Sequence, residues 1–347
     1  DSYLFDGAVF CGATRYNLVA PEQQKFNFLF SKEKIAPITT TLEHFKKYSW
    51  EALNTQPINS EPLMPVLSDI GNTLHISTIS DWSQISKWYS DIVNYSDVEY
   101  EVREAYKQIF PKNLHLPNEF SKAKQIYDFI EHNVRYSSVS FRQGAYVPQK
   151  ASKTLITRLG DCKDLSKLFV TLCDIAGIRS NMVLVDTRDN GEKQMLLPSM
   201  NFNHCIVKAN LDGKDYFIEL TDNNLPFASL PVSLQGATIL EIPHANAKIQ
   251  EGITYLKSNN RKKEAIIRNI EIKPKDSDLE YNMTVIRSGA ITSGARSEFR
   301  YLDNEKRFKL LEENIAGNYE TSVKLKSLDF AGLEILDDSV TCKFSYL

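Results

Sequence analysis

The stretch Gly160-Asp-Cys-Lys-Asp-Leu-Ser-Lys-Leu-Phe-Val-Thr-Leu-Cys-Asp-Ile-Ala-Gly177 decides how this chain is read. Leu165, Leu168, Phe169, Leu172 and Ala176 recur at three- and four-residue steps, the spacing of one helical face, and Gly177 supplies the stop. Cys162 then falls in the first turn of that helix. The unbonded N–H groups there and the helix dipole favour an anion, which is expected to lower the thiol pKa. Lys163 adds to that expectation, and selective alkylation of Cys162 at mildly acidic pH would follow. Cys162 is only marginally in register with the apolar stripe, whereas Cys173 sits where a small buried filler belongs.

A thiolate nucleophile needs a base that also hands a proton to the leaving group. Of six histidines, His44, His75, His115, His132 and His244 read as loop or surface positions with solvated rings. His204 differs, because it opens the apolar strand His204-Cys-Ile-Val207, downstream of the helix. A histidine at a strand start is commonly structural. The strand–helix–strand order and the Cys-before-His order point instead to catalysis.

Composition bounds the rest. At 347 residues the chain exceeds one small core, and two or three domains are expected. With 42% hydrophobic and 24% charged residues it reads as an ordinary globular chain. A net charge of −3 leaves no basic excess for nucleic acid. No uncharged apolar run approaches the roughly 20 residues of a transmembrane helix. Five cysteines without a C-x-x-C pair make neither a disulfide framework nor an evident zinc site. Cys162, Cys173, His204 and Cys205 are the one set a metal would use, but neighbours on a strand point to opposite faces. No metal and no cofactor is expected.

Outward from the helix, the first ~80 residues carry short apolar runs, Lys25-Phe-Asn-Phe-Leu-Phe30 and Leu74-His-Ile-Ser-Thr-Ile79, between Pro37, Pro57, Pro62 and Pro65. They predict a β-rich unit. Helices are expected over Trp82–Phe110 and Ser121–Val134, with Ser121 as N-cap, and a short one over Ser152–Leu159. Strands follow at Ser180–Val185, His204–Ala209 and Tyr216–Leu220. Beyond Ala245, Ala265-Ile-Ile-Arg-Asn-Ile-Glu-Ile272 and Leu279-Glu-Tyr-Asn-Met-Thr-Val-Ile286 alternate as antiparallel strands, with one charged helix near Glu298–Asn314. Ser288-Gly-Ala-Ile-Thr-Ser-Gly294 reads as a surface turn.

Four motifs taken together resemble a transglutaminase-like core: Gly160-Asp-Cys-Lys-Asp164, Ala176-Gly-Ile178, Asn203-His-Cys-Ile-Val207 and Tyr216-Phe-Ile-Glu-Leu-Thr-Asp222. Tyr48-Ser-Trp50, Glu61-Pro62 and Ser80-Asp-Trp82 resemble the β-rich domain that precedes this core in a group of bacterial, often exported, proteins. The tail resembles the third domain of that architecture. The resemblance implies an α+β protein with a papain-like core over 101–244, flanked by antiparallel β domains at 1–100 and 245–347. A chain ending near Pro243 is expected to fold by itself. The resemblance further implies a Cys-His-Asp triad, with Cys162 as nucleophile and His204 as base and acid. The third member departs from it, since Glu219-Leu-Thr221 stands where relatives read Asp-x-Thr.

The implied chemistry is acyl transfer through a thioester on a peptide or carboxamide, resolved by water or by an amine. An oxyanion hole would use the Cys162 N–H and a donor such as Gln143, Tyr146 or Gln149. The alternative is a non-catalytic module of the same fold that recruits a protein or glycan partner. Location outside the cytoplasm is an implication of the resemblance, and the oligomeric state stays open.

Strand parity bears on the third member. Asp212-Gly213 is a preferred pair for a two-residue type I′ turn, so opposed residues should sum to 425. Glu219 then lies on the His204 face, diagonal to it at roughly 7–8 Å between Cα atoms, and Asp222 on the other. Otherwise Glu219 is solvated and Asp222 merely caps the next turn.

Overall fold

A computed structural model describes residues 1–93, 98–112, 116–138, 146–244, 252–257, 263–319 and 323–347. Gln143, His115 and the boundary residue Ala245 lie outside the described residues. The proline-punctuated start forms β1 (Ser2–Leu4), β2 (Cys11–Pro21), β3 (Asn27–Phe30), β4 (Ile38–Leu42), β5 (Phe45–Thr55), the single turn α1 (Leu67–Ile70) and β6 (Thr73–Ser77). These make two antiparallel three-stranded sheets, ordered β1-β6-β3 and β2-β5-β4. Alternation aims Tyr16, Tyr48 and Trp50 inward, where they meet Phe5, Phe28 and Leu74 in an aromatic core. His75 belongs to this buried set and is no loop residue. Its strand is covered on both faces, and burial, with the positive N-terminus near it, pushes its pKa down to about 4.

The middle of the chain builds α2 (Trp82–Val93), α3 (Tyr100–Ile109), α4 (Glu119–Asn133), β7 (Arg135–Tyr136), α5 (Ala151–Thr157), β8 (Leu159–Gly160) and α6 (Cys162–Ile175). Strands β9 (Ser180–Asp186), β10 (His204–Leu211), β11 (Lys214–Ile218), β12 (Thr238–Ile242) and β13 (Thr254–Tyr255) follow, in an antiparallel sheet ordered β11-β10-β9-β12-β13. The span read as one helix from Trp82 is two. The cap of α4 is Asn118, which accepts from the Ser121 N–H, because its extended backbone puts the side-chain oxygen over the first turn. The short parallel pair β7–β8, with Tyr136 opposite Gly160, has no periodic signature in so few residues.

Helix α6 is the centre of the molecule. Its apolar stripe is buried, and so are Lys163, Asp164, Ser166, Lys167 and Thr171 on its other faces. It packs on β9 and β10 on one side and on α3, α4 and α5 on the other. Burying Leu165, Leu168, Phe169 and Leu172 stabilises this arrangement by roughly 1.5–3 kcal/mol each. Ile85, Tyr89 and Val93 of α2 join the same core.

The tail comprises β14 (Ala265–Lys275), β15 (Asp278–Ser288), α7 (Thr292–Phe299), α8 (Asn304–Tyr319), β16 (Leu325–Ala331) and β17 (Ser339–Tyr346), with sheet order β14-β15-β17-β16. The expected surface turn at Ser288–Gly294 is instead the entrance to α7, with Gly289, Ala290 and Thr292 buried. Small residues there allow close packing rather than exposure. The single charged helix is likewise two, α7 and α8.

Candidate active site

Cys162 is the first helical residue of α6 and is 5% exposed. Asp161 caps the helix by accepting from the N–H groups of Lys163 and Asp164 at 3.1 and 3.2 Å, while Asp164 accepts from the Asp161 N–H at 3.1 Å. The Lys163 ammonium is buried and paired with Asp161. A side chain at Gly160 would crowd this cap, since a Cβ would meet Asp164 Cβ at 3.0 Å and Thr154 Cγ2 at 3.2 Å. The Cys162 N–H, at the first helical position, has no carbonyl one turn back to bond. That leaves it without an acceptor inside the helix.

The β10–β11 hairpin turns on Asp212 and Gly213, both at positive φ (51° and 79°), and every pair from Leu211↔Lys214 to Val207↔Ile218 sums to 425. His204 begins β10 and pairs with Val185 of β9. Glu219, one residue past β11, sends Oε2 to 2.7 Å from His204 Nε2. Its other oxygen accepts from the N–H and the hydroxyl of Thr221, both at 2.6 Å. With Nε2 engaged by Glu219, Nδ1 is the ring nitrogen open to the thiol. Asp222 turns away, accepting from the Asn224 N–H at 3.0 Å and from the Ser293 hydroxyl.

The electrostatics follow from burial and pairing. Burial works against the charged form of His204, but the Glu219 charge, helped by hydrogen bonds to Cys162 and Glu219, pushes its pKa up to about 10. Burial raises Glu219, yet the His204 charge and hydrogen bonds from His204 and Thr221 leave it below the usual carboxylate value. Cys162 corrects the sequence expectation. Burial pushes its thiol up, and the hydrogen bond and charge of His204 only oppose that rise. The capping box explains part of the difference. Asp161 takes the N–H groups that would have favoured a thiolate and adds a negative charge beside it.

Of the described oxyanion candidates, Gln149 Nε2 donates to Leu159 O at 2.9 Å and Tyr146 Oη to Met200 O at 3.3 Å. Both donors are engaged by backbone carbonyls. Two groups that sequence reasoning passed over lie close to Cys162, His204 and Glu219. The Tyr136 phenol, on β7 opposite Gly160, is raised by burial and feels the charges of Cys162 and Glu219. The Glu131 carboxyl of α4 is raised well above its ordinary value by burial and by Glu219 and Asp222. Neither has a motif, since only tertiary packing brings it near.

Ile79, Ile85, Trp88 and Met200 line an apolar hollow of about 230 Å³. Met200 precedes His204 by four residues, so their Cα atoms are at most roughly 14 Å apart. A charged hollow of about 630 Å³, holding Asp174, Lys208, Glu241 and His244, is far from the thiol. Asp174 stands twelve residues along α6 from Cys162, about 18 Å.

Residues 111–218 match the family model of the transglutaminase-like superfamily, a span that contains Cys162 and His204 and stops one residue short of Glu219. Among solved structures, the chain is similar to a candidate protease from Parabacteroides distasonis, at 12% identity and a TM-score of 0.57, covering 99% of this chain and 68% of that one. It is also similar to a candidate cysteine protease from Cytophaga hutchinsonii, at 12% identity and a TM-score of 0.29 over 75% and 89% of the two chains. A third likeness, to a TGase, has 11% identity and a TM-score of 0.27 over 53% and 43%. The Parabacteroides structure shares the fold over nearly the whole chain. No curated protein matches the sequence.

Proposed function

We propose that the transglutaminase-like domain of this chain is a cysteine-dependent acyl-transfer site acting on a peptide or carboxamide. The observation that carries this reading is the Glu219 carboxylate, locked by Thr221 on one oxygen and by His204 on the other, beside the thiol at the head of α6. Such a three-group chain is how an imidazole is oriented and kept charged for nucleophilic catalysis.

His204 is held protonated by Glu219, so the reactive ion pair forms when the Cys162 thiol loses its proton to solvent. The thiolate attacks the carbonyl carbon, and the displaced electron pair collects on oxygen, facing the Cys162 N–H. Collapse breaks the C–N bond, and the His204 imidazolium gives its proton to the departing amine. The neutral imidazole then takes a proton from an incoming water or amine. That nucleophile cleaves the thioester and returns the thiolate. Water makes the site a peptidase or amidase, and an amine makes it a crosslinker. The apolar hollow beside Met200 suits a bulky apolar side chain of a peptide.

The second reading is a non-catalytic module of the same fold that recruits a protein or glycan partner. A thiol only 5% exposed and raised in pKa favours it. Incubation with a peptide library and an amine acceptor separates the two. Cleavage or amine incorporation that vanishes in Cys162→Ala supports acyl transfer, and turnover that persists in that variant overturns it.

A further inference from the structure

Glu219 stands beyond the last paired residue of β11, Ile218, so the sheet does not hold the segment from Glu219 to Leu225. Among the described residues other groups hold it, and most of these belong to the tail. Ser293 donates to Asp222, Arg300 Nη1 to the Asn223 carbonyl at 3.1 Å, and Arg296 Nη1 to the Asn224 carbonyl at 3.1 Å. From the core, Tyr127 of α4 adds one bond, to the Leu225 carbonyl at 2.9 Å. Positions 293, 296 and 300 are spaced by three and four residues, so one face of α7 and its C-cap grips three consecutive residues.

Arg296 is the anchor. It is fully buried, and all five of its N–H donors are used: Nε on Gly332 O, Nη1 on Asn224 O and Thr292 Oγ1, and Nη2 on Gly332 O and Asp337 O. A buried guanidinium costs desolvation energy, which its full set of acceptors offsets without making it cheap. An apolar helix face would join the two units at less cost. What a guanidinium adds is direction, because its planar fork fixes where each carbonyl stands. Leu336 of the same tail loop packs into the core that contains Cys162.

We propose that α7 is a positioning element of the active site: Ser293, Arg296 and Arg300 hold the backbone after Glu219 and so set its carboxylate against His204. This rests on the reading of Cys162, His204 and Glu219 as one unit. The tail is then a working part of the site, without touching substrate. Loss of its grip frees the Asp222–Asn224 turn, and Glu219, three residues from that turn, loses its aim.

The test uses the full chain and needs no substrate. Arg296→Lys breaks the anchor, with a risk to folding. Ser293→Ala combined with Arg300→Met removes two of the three contacts at part-exposed positions and leaves Arg296 in place, and Ser293→Thr with Arg300→Met keeps the hydroxyl as a rescue. Two quantities are read in folded protein: the pH–rate profile of Cys162 alkylation and the His204 titration by NMR, with Glu219→Gln alongside. The double variant, with wild-type circular dichroism, should alkylate roughly tenfold more slowly at pH 8, since each unit the thiol pKa rises with a weaker imidazolium beside it leaves about tenfold less thiolate. Its His204 midpoint should move down toward that of Glu219→Gln, and Ser293→Thr with Arg300→Met should restore much of both. A wild-type profile in the folded double variant, while Glu219→Gln shifts, overturns the positioning role alone. No shift in Glu219→Gln overturns the triad reading, and the positioning role with it.

Discussion

Glu219 reaches His204 at 2.7 Å from a position one residue beyond the strand that delivers it. The contact joins the hairpin end to the start of its partner strand. Its geometry depends on the register of that hairpin, on Thr221 behind the carboxylate and on the turn that follows.

Glu219→Gln keeps the shape of this contact and removes its charge. Turnover should fall by up to about 10⁴-fold, the loss a triad shows when its orienting acid becomes an amide. Asp222→Asn retains an acceptor for Asn224 and Ser293 and should cost much less. Steady-state rates of the two variants side by side check the ordering, and a larger defect in Asp222→Asn would contradict it.

The same pair makes stability depend on pH. The His204 pKa, about 10 in the fold against 6.5 free, gives a contribution complete below pH 6.5 and lost as pH climbs through about 10. Glu219 is lowered from 4.5, so its contribution is present above pH 4.5 and lost as pH falls through the folded value. Urea melts of wild type and Glu219→Gln should therefore differ most at pH 5–6 and converge toward pH 10. A gap that widens with alkalinity would argue against the pair.

Burial of Cys162 sets its own pH dependence. Alkylation should be slow at neutral pH and rise on the alkaline side, with His204 losing its proton near pH 10. Iodoacetamide rates on Cys162, read by peptide mass spectrometry in a Cys11→Ser background, test this, because Cys11 is the partly exposed competitor. Faster reaction at pH 6 than for a denatured-chain thiol would restore the lowered-pKa expectation.

Asp161→Asn separates cap from charge. Asparagine still caps the helix, but the carboxylate that pairs with the buried Lys163 ammonium is gone, which should lower the stability of the fold. Removing that charge also eases ionisation of Cys162, so its alkylation at pH 8 should speed up. Chemical melts and alkylation rates on the one variant check both signs.

Legibility in the sequence tracked the range of the interaction. Asp212-Gly213 fixed a local turn, and from it parity carried Glu219 to the His204 face across fifteen residues. The stripe Leu165–Leu172 and the Gly177 stop needed only helical spacing, and Gly177 takes φ of +75°. The direction of the thiol pKa was not legible, because burial is tertiary and the capping aspartate offsets the helix terminus. His75 misread for the same reason, since β6 is covered on both faces. The role of Ser288–Gly294 was hidden too. Small residues signal a turn and a tight helix entrance alike, and only the partners Arg296 finds decide between them.

Acyl transfer at this site requires a thioester on Cys162, and the direct measurement is to trap it. An activated peptide ester, mixed with the full chain and quenched in acid, yields a covalent adduct that tryptic mass mapping can locate. A thioester mechanism predicts a burst of leaving group, with the acyl group on the peptide that contains Cys162. It also predicts a burst slowed by Glu219→Gln and abolished by Cys162→Ala. Acylation that falls on another residue, or a burst of wild-type size in Cys162→Ala, would contradict it.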